Sequence, residues 1–211
     1  SVCVTYTPDL NYTGRDTFCV VVCDGGTPGK CDTGYIYINI LPVNDPPVVP
    51  DSTVTIPEDS FITVCLPVTD PDGPSIIPSI CGAPSHGTAS QLSVSGNSVC
   101  VTYTPNLNYS GKDTICVMVC DSGNPNKCDP GYIIINITPV NDPPVVPDSS
   151  FTIDEDSTIN ICLPVTDVDG PTINISPCSL PSHGSIGSGF SVSGSSVCVT
   201  YTPDLNYTGR D

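Results

Sequence analysis

The sequence contains no tryptophan, one methionine, two histidines and only five lysines and arginines among 211 residues. Against those five cations stand 22 aspartates and glutamates, for a net charge of -17. A surface so negative repels phosphate backbones and anionic headgroups, so nucleic acid is not expected as a partner. No run of about 18 apolar residues occurs, so no direct membrane insertion is expected of this segment. A secretory leader is also missing, but the chain opens on Ser-Val-Cys inside a strand-like pattern, so nothing follows from that.

The residues in excess are 24 prolines, 18 glycines and 13 cysteines. Proline and glycine at this density belong to short strands and tight turns rather than helices. Cysteine at this density points to an oxidising compartment, where disulfides persist. The surplus of carboxylates suits cations and keeps an extended polymer soluble.

The chain repeats itself. The ten residues Val43–Ser52 return unchanged from Val140, 97 residues later. Cys3, Cys19, Cys23 and Cys31 recur as Cys100, Cys116, Cys120 and Cys128, and Cys65 and Cys81 recur as Cys162 and Cys178. Cys198 lies one residue beyond the place this offset gives for Cys100, so a loop has gained one residue. Residues 1–16 are identical to residues 196–211. The sequence therefore reads as a window onto a longer periodic chain. Residues 1–43 are the C-terminal part of one repeat, 44–140 a complete repeat, and 141–211 the N-terminal part of the next.

Within the complete repeat, apolar residues alternate with polar ones. Ile62, Val64, Leu66 and Val68 form one such series. Val99, Val101 and Tyr103, then Ile115, Val117 and Val119, then Ile133, Ile135 and Ile137 form three more. Period two means strands with one buried face. Weaker strands fit 53–56, 75–80 and 89–93. Seven short strands in about 95 residues predict an all-β fold, a tandem array of immunoglobulin-like sandwiches.

The alternation puts the strand cysteines on the faces turned away from the aliphatic core. In a seven-stranded sandwich the second strand neighbours the fifth and the third neighbours the sixth. The expected bridges are therefore Cys65–Cys100 and Cys81–Cys116, with Cys162–Cys198 repeating the first. Cys120–Cys128 and Cys23–Cys31 should each close a tight loop. Cys3, Cys19 and Cys178 are left without a partner in the sequence. Zinc would want short paired spacings, and only Cys116 and Cys120 come near one. Outward-facing cysteines also leave bridging between chains open.

A series of motifs recurs in order: Val140-Asn141-Asp142-Pro143-Pro144, Glu155-Asp156-Ser157, Asp167-Val168-Asp169-Gly170, Ser182-His183-Gly184 and Tyr201-Thr202-Pro203 with Asn206-Tyr207-Thr208-Gly209. The complete repeat has the same series. It resembles the cadherin-like tandem repeats of giant bacterial surface adhesins, over the whole chain. The resemblance implies secretion, attachment of other regions to a cell surface, and a stalk holding a distant binding domain. Adhesins of gliding or surface-colonising bacteria are the narrower expectation. The cysteines depart from most such repeats.

Cadherins collect Ca²⁺ ligands at domain junctions, and the resemblance maps these onto Glu58, then Asn141, Asp142, Asp167 and Asp169. At the preceding junction the equivalents are Asn44, Asp45, Asp70, Asp72 and Asp121. These are oxygen donors, as Ca²⁺ prefers. The linker lacks the acid before Asn-Asp and the Asn after it, and Asn106-Leu107-Asn108 replaces a mid-domain acid pair. The same Asp, Asn, Gly and Pro residues also make turns without metal. His86 and His183 sit in Pro-Ser-His-Gly loops with no nucleophile pattern nearby, so no enzyme is expected. The functional expectation is a stalk whose partners are adjacent repeats of the same chain. The alternative is repeats that themselves bind a glycan, surface ligand or neighbouring filament multivalently.

Overall fold

The computed structural model describes residues 3–73, 75–170 and 172–211. The chain divides into two compact units, Ser1–Thr138 and Pro139–Asp211. Strands account for all of its regular structure among the described residues.

The first unit begins with the hairpin β1 (Gly14–Cys23) and β2 (Cys31–Ile40), whose strands pair only with each other. Eight strands follow: β3 (Ser52–Pro57), β4 (Ile62–Pro67), β5 (Ile76–Gly82), β6 (Gly87–Ala89), β7 (Ser93–Ser95), β8 (Ser98–Pro105), β9 (Gly111–Asp121) and β10 (Cys128–Thr138). One sheet runs β3-β10-β9-β5, and the other runs β4-β8-β6 with β7 also on β8. The expected strand over 89–93 is instead two short pieces, β6 and β7, both paired to β8. Pairing is antiparallel except between β3 and β10, which run parallel from Ser52↔Ile133 to Pro57↔Thr138.

The inner faces of both sheets meet in one apolar cluster. Val64 and Leu66 of β4 and Val99, Val101 and Tyr103 of β8 pack with Ile115, Val117 and Val119 of β9 and Ile133, Ile135 and Ile137 of β10. These are the alternating positions of the sequence. Each fully buried aliphatic side chain contributes about 1.5–3 kcal/mol. This core sets the register of every strand, because a one-residue slip would turn the apolar face outward.

Five disulfides lie off this core: Cys23–Cys31, Cys65–Cys100, Cys81–Cys116, Cys120–Cys128 and Cys162–Cys198. Each joins neighbouring strands of one sheet. Cys65 stands opposite Cys100, and Cys120 opposite Cys128. Cys81 sits in a bulge of β5 beside Cys116 of β9. The outward placement has one exception within the complete repeat. Cys100 is buried, because Cys65 flanks it on β4 and Ser93 on β7. It still lies outside the apolar cluster.

The second unit holds β11 (Ile159–Pro164), β12 (Gly184–Ile186), β13 (Ser191–Ser193) and β14 (Ser196–Pro203). They form a single sheet, β11-β14-β12 with β13 on β14. This is the β4-β8-β6-β7 sheet of the complete repeat, one period later.

Candidate functional site: the acidic end of the repeat

Strand register sorts the sequence-derived acidic residues. Asp121 ends β9 next to the Cys120–Cys128 pair, whereas Glu58 follows β3 at the end where Pro57 meets Thr138. Asp121 lies ten residue steps along β9 from Gly111, roughly 33 Å of strand at ~3.3 Å per step. Glu58 therefore lies at the opposite end of the sheet from Asp121. It is buried, and its backbone N–H donates to the Thr138 carbonyl.

Asn44, Asp45, Asp70, Asp72 and Asp121 come together at the other end through a chain of hydrogen bonds. Asn44 Nδ2 donates to Asp121 Oδ2 at 2.7 Å and to the Pro125 carbonyl at 3.2 Å. Asp121 Oδ1 accepts from the N–H groups of Gly123 and Lys127, both at 2.9 Å. The Asp45 N–H donates to Asp72 Oδ2, and the Asp72 N–H donates to Asp70 Oδ1. Burial works to raise the Asp121 carboxyl, but the donors Lys127, Asn44 and Gly123 outweigh it and hold it below the usual carboxylate range. A side chain at position 123 would displace the Asn44 amide that donates to Asp121, so Gly123 leaves room for that bond.

The same pattern recurs elsewhere. Asp24 accepts from Gly26 and Lys30, and those two bonds hold its carboxyl low. In the second unit the Asp142 N–H donates to Asp169 Oδ2 and the Asp169 N–H to Asp167 Oδ1. Asn141 Nδ2 donates to the Asp142 carbonyl.

The donors are oxygens of the kind a hard cation takes. In this structure they are engaged by N–H donors rather than gathered around one point. Among the described residues, no three His, Cys, Asp or Glu side chains converge closely enough to hold a metal. The carboxylates receive N–H donors from the linker and the loops instead. The acids thus act as clasps that fix the linker, the Asp70–Gly73 turn and the β9–β10 loop to one another. Two further clasps tie the linker to β10: Val49 N–H donates to Asp129 Oδ2 at 2.8 Å, and Tyr132 N–H to Asp51 Oδ1 at 2.8 Å.

Sequence reasoning missed one polar centre. Asp113 of β9 is buried and accepts four hydrogen bonds, from the Ser85, His86 and Thr114 N–H groups and from the Tyr103 hydroxyl. Burial pushes its carboxyl up, yet the four donors dominate and hold it below its ordinary value. Burial, with Asp113 alongside, pushes the Tyr103 phenol well above its ordinary value. A signal was present, since Asp113 occupies the inward position that precedes Ile115, Val117 and Val119. Asp211 repeats the arrangement with Ser182, His183 and Tyr201, and Asp16 keeps the tyrosine contact through Tyr6. His86 stacks on Tyr109 with ring centroids 4.1 Å apart, and His183 stacks on Tyr207 at 4.3 Å. Both histidines therefore serve packing.

Solved structures similar to this chain include cadherin ectodomains. The protocadherin gamma B4 extracellular domain is 18% identical with a TM-score of 0.56, over 91% of this chain and 32% of that one. Protocadherin gamma B2 extracellular cadherin domains 1-5 are 17% identical with a TM-score of 0.52, over 92% of this chain and 39% of that one. The chain thus spans well under half the length of these structures. No curated protein matches it. The bacterial Ig domain model matches residues 44–129 and again 141–211. The two matched stretches are successive disulfide-stapled repeats, the first a cadherin-like sandwich and the second its β4-β8-β6 sheet one period later, as in secreted or surface proteins, and the chain belongs to the bacterial Ig domain family.

Proposed function

We propose that this chain is a stretch of stalk in a large cell-surface adhesin, in which each repeat passes tension to the next and projects a distal binding region. Domains of this kind are typically non-enzymatic, and the repeated Asp, Tyr and His residues here all serve hydrogen bonding and packing. The supporting observation is the parallel pairing of β3 with β10, the first and last strands of the complete repeat. Pulling the two ends of the repeat apart draws β3 toward its N-terminus and β10 toward its C-terminus. The strands must then slide past one another, which loads the whole ladder from Ser52 to Pro57 at once. An antiparallel terminal pair would instead unzip one bond at a time.

The disulfides suit the same role. Cys65–Cys100 closes a span of 35 residues, which hides about 120 Å of chain at ~3.4 Å per residue from a pulling force. Single-molecule force spectroscopy on the chain held at its two ends tests the reading. A force peak for the complete repeat is expected, with a longer extension after reduction. Smooth extension at low force without a peak would refute it.

Multivalent binding by the repeats would call for one shared aromatic surface. Tyr35 and Tyr37 of β2 are exposed and stacked, 6.5 Å apart, but their equivalents on β10 are Tyr132 and Ile134. The pair is not repeated, which favours a spacer.

Calcium at the junctions forms part of this proposal on the strength of the cadherin-like fold and the oxygen-only donors Asn44, Asp45, Asp70, Asp72 and Asp121. A bound ion would stiffen the linker end. Calorimetric melting with Ca²⁺ or with chelator tests it, and identical melting curves would remove calcium while leaving the hydrogen-bonded clasp.

A further inference from the structure

Five places in the sequence carry Asn-x-Ser or Asn-x-Thr: Asn11, Asn108, Asn136, Asn174 and Asn206. In secreted proteins this triplet is the one read by enzymes that attach sugar to asparagine. Periodicity separates the five. Asn11, Asn108 and Asn206 are one position met in successive repeats, each followed by Tyr and then by a hydroxyl residue. The triplet at Asn136 does not recur, because its equivalent Asn39 is followed by Ile40 and Leu41. The equivalent of Asn174 is Ile77.

The fold separates them as well. Asn136 is half-buried in β10, with Lys112 of β9 on one side and Thr55 of β3 on the other. The Thr138 hydroxyl of its triplet donates to the Ile56 carbonyl at 3.3 Å. Asn108 instead lies on an exposed turn, closed by the Tyr109 N–H on the Asn106 carbonyl at 3.1 Å. The Asn108 N–H donates to Asp59 Oδ1 at 3.1 Å, which places this turn beside the one that follows β3. Asn108 and Ser110 are both exposed, and among the described residues neither side chain has a hydrogen-bond partner.

Folding explains only part of the triplet. Tyr109 stacks on His86 and its hydroxyl donates to the Lys112 carbonyl, so the middle residue is structural. Asn108 has a φ of 55°, a left-handed value that Asn, Asp and Gly tolerate. Asp59 stands at the same angle, with a φ of 58°. Conformation alone would therefore allow Asp or Gly at 108, yet the equivalent positions hold Asn each time. The third residue changes from Thr13 to Ser110 to Thr208 and keeps its hydroxyl throughout. The amide and the hydroxyl are what folding leaves unused, and they are the two groups that glycan transfer needs. Between the turn and solvent stands Leu107, 82% exposed, an apolar surface that a sugar would cover.

We propose that Asn108 is an acceptor for an N-linked glycan, with a lipid-linked oligosaccharide as the donor. The Asn108 amide nitrogen attacks the anomeric carbon of the donor sugar. A carbon–nitrogen bond forms, the bond from that carbon to the pyrophosphate oxygen breaks, and the lipid pyrophosphate leaves. The nitrogen gives up one proton, and nothing is oxidised or reduced. The glycan stands at the Glu58 end of the sandwich and leaves the Asn44–Asp121 clasp at the other end uncovered.

The test is glycopeptide mass spectrometry on the protein taken from the cells that produce it, before and after an amidase that removes N-linked glycans. Glycan is expected on the peptide holding Asn108, and a bare peptide is expected at Asn136. Asn108→Asp keeps the turn, as Asp59 shows, but offers no amide, so the glycan should be lost. Ser110→Ala should also lose it, whereas Ser110→Thr should retain it, a rescue that a purely structural hydroxyl would not give. The Cys65–Cys100 and Cys120–Cys128 peptides report folding in every variant. A bare Asn108 in the unaltered protein overturns the inference. Glycan that survives Ser110→Ala at Asn108 overturns the role given to the hydroxyl, and glycan at Asn136 overturns the selection by fold.

Discussion

Replacing Asp113 isolates the polar centre that holds β9, β8 and the Pro84–Gly87 loop together. Its Oδ1 accepts from Ser85 and Thr114 at 2.9 Å each, and its Oδ2 from His86 and the Tyr103 hydroxyl at 2.8 Å each. Asp113→Asn keeps one accepting oxygen but turns an amide NH₂ toward the His86 N–H. The tyrosine hydroxyl can rotate to accept, whereas the backbone N–H cannot. One buried donor is left unsatisfied and the charge assistance of four bonds is lost, a cost of about 2–4 kcal/mol. Asp113→Ala strands three N–H groups and costs more, about 3–5 kcal/mol. Tyr103→Phe leaves the carboxylate with three donors and costs about 1 kcal/mol. The order Ala, Asn, Phe is therefore expected in urea denaturation followed by far-UV circular dichroism.

The pH dependence supplies an independent check. The folded-state pKa of Asp113 is depressed, so its contribution is complete above the unfolded value near ~3.9 and is lost as pH falls through the folded value. Below about pH 4 the unaltered chain should lose stability faster than Asp113→Asn, and the gap between them should narrow. Other depressed carboxylates, such as Asp121, contribute to both proteins alike, so the difference reports Asp113. An Asn variant within ~0.5 kcal/mol of the unaltered chain at neutral pH would refute the reasoning.

Three further outcomes are expected. Gly87→Ala puts a Cβ 2.5 Å from the Thr104 carbonyl and 2.6 Å from the Tyr103 ring, which should cost about 1–3 kcal/mol in the same denaturation assay. Ile135→Ala opens a cavity where the side chain is fully buried, and calorimetry should show a loss of about 2–5 kcal/mol. Asn44→Ala removes the bonds to Asp121 and Pro125 without touching the core, so hydrogen exchange should quicken at Gly123 and Lys127 while the core strands keep their protection.

Alternation made the core legible. Ile115, Val117 and Val119 carry their burial in their spacing, and the same spacing turned Cys116 and Cys120 the other way. Once β4 was set beside β8, Cys65 and Cys100 followed, because paired strands share a register. The split of 89–93 into β6 and β7 was not legible: three-residue strands hold too few residues to show a period. Nor was the clasp of Asn44 on Asp121, which joins residues 77 positions apart through a loop without periodicity. The acids were visible as a group, but their partners are backbone N–H groups, which no side-chain pattern marks. Asp113 is the instructive miss, since an acid on the apolar face of a strand requires buried donors, and the turn at Ser85 and His86 provides them.

Covalent and apolar forces divide the work of holding the repeat together. The core joins one sheet to the other, while each bridge of the complete repeat joins strands within a sheet: β4 to β8, β5 to β9 and β9 to β10. β3 is the strand of the β3-β10-β9-β5 sheet that no bridge reaches. It is held by its parallel ladder, by Ile56 in the core and by the Asp51 and Val49 clasps to β10. Were the repeat pulled from its linker, β3 would be met first, as the one element of that sheet that can leave whole. With β3 gone the chain would be free as far as β4, whose pairing to β8 is backed by the Cys65–Cys100 staple. On the proposed reading, strength would then reside in a six-residue parallel ladder, and the cysteines would set how far the repeat opens after that ladder fails.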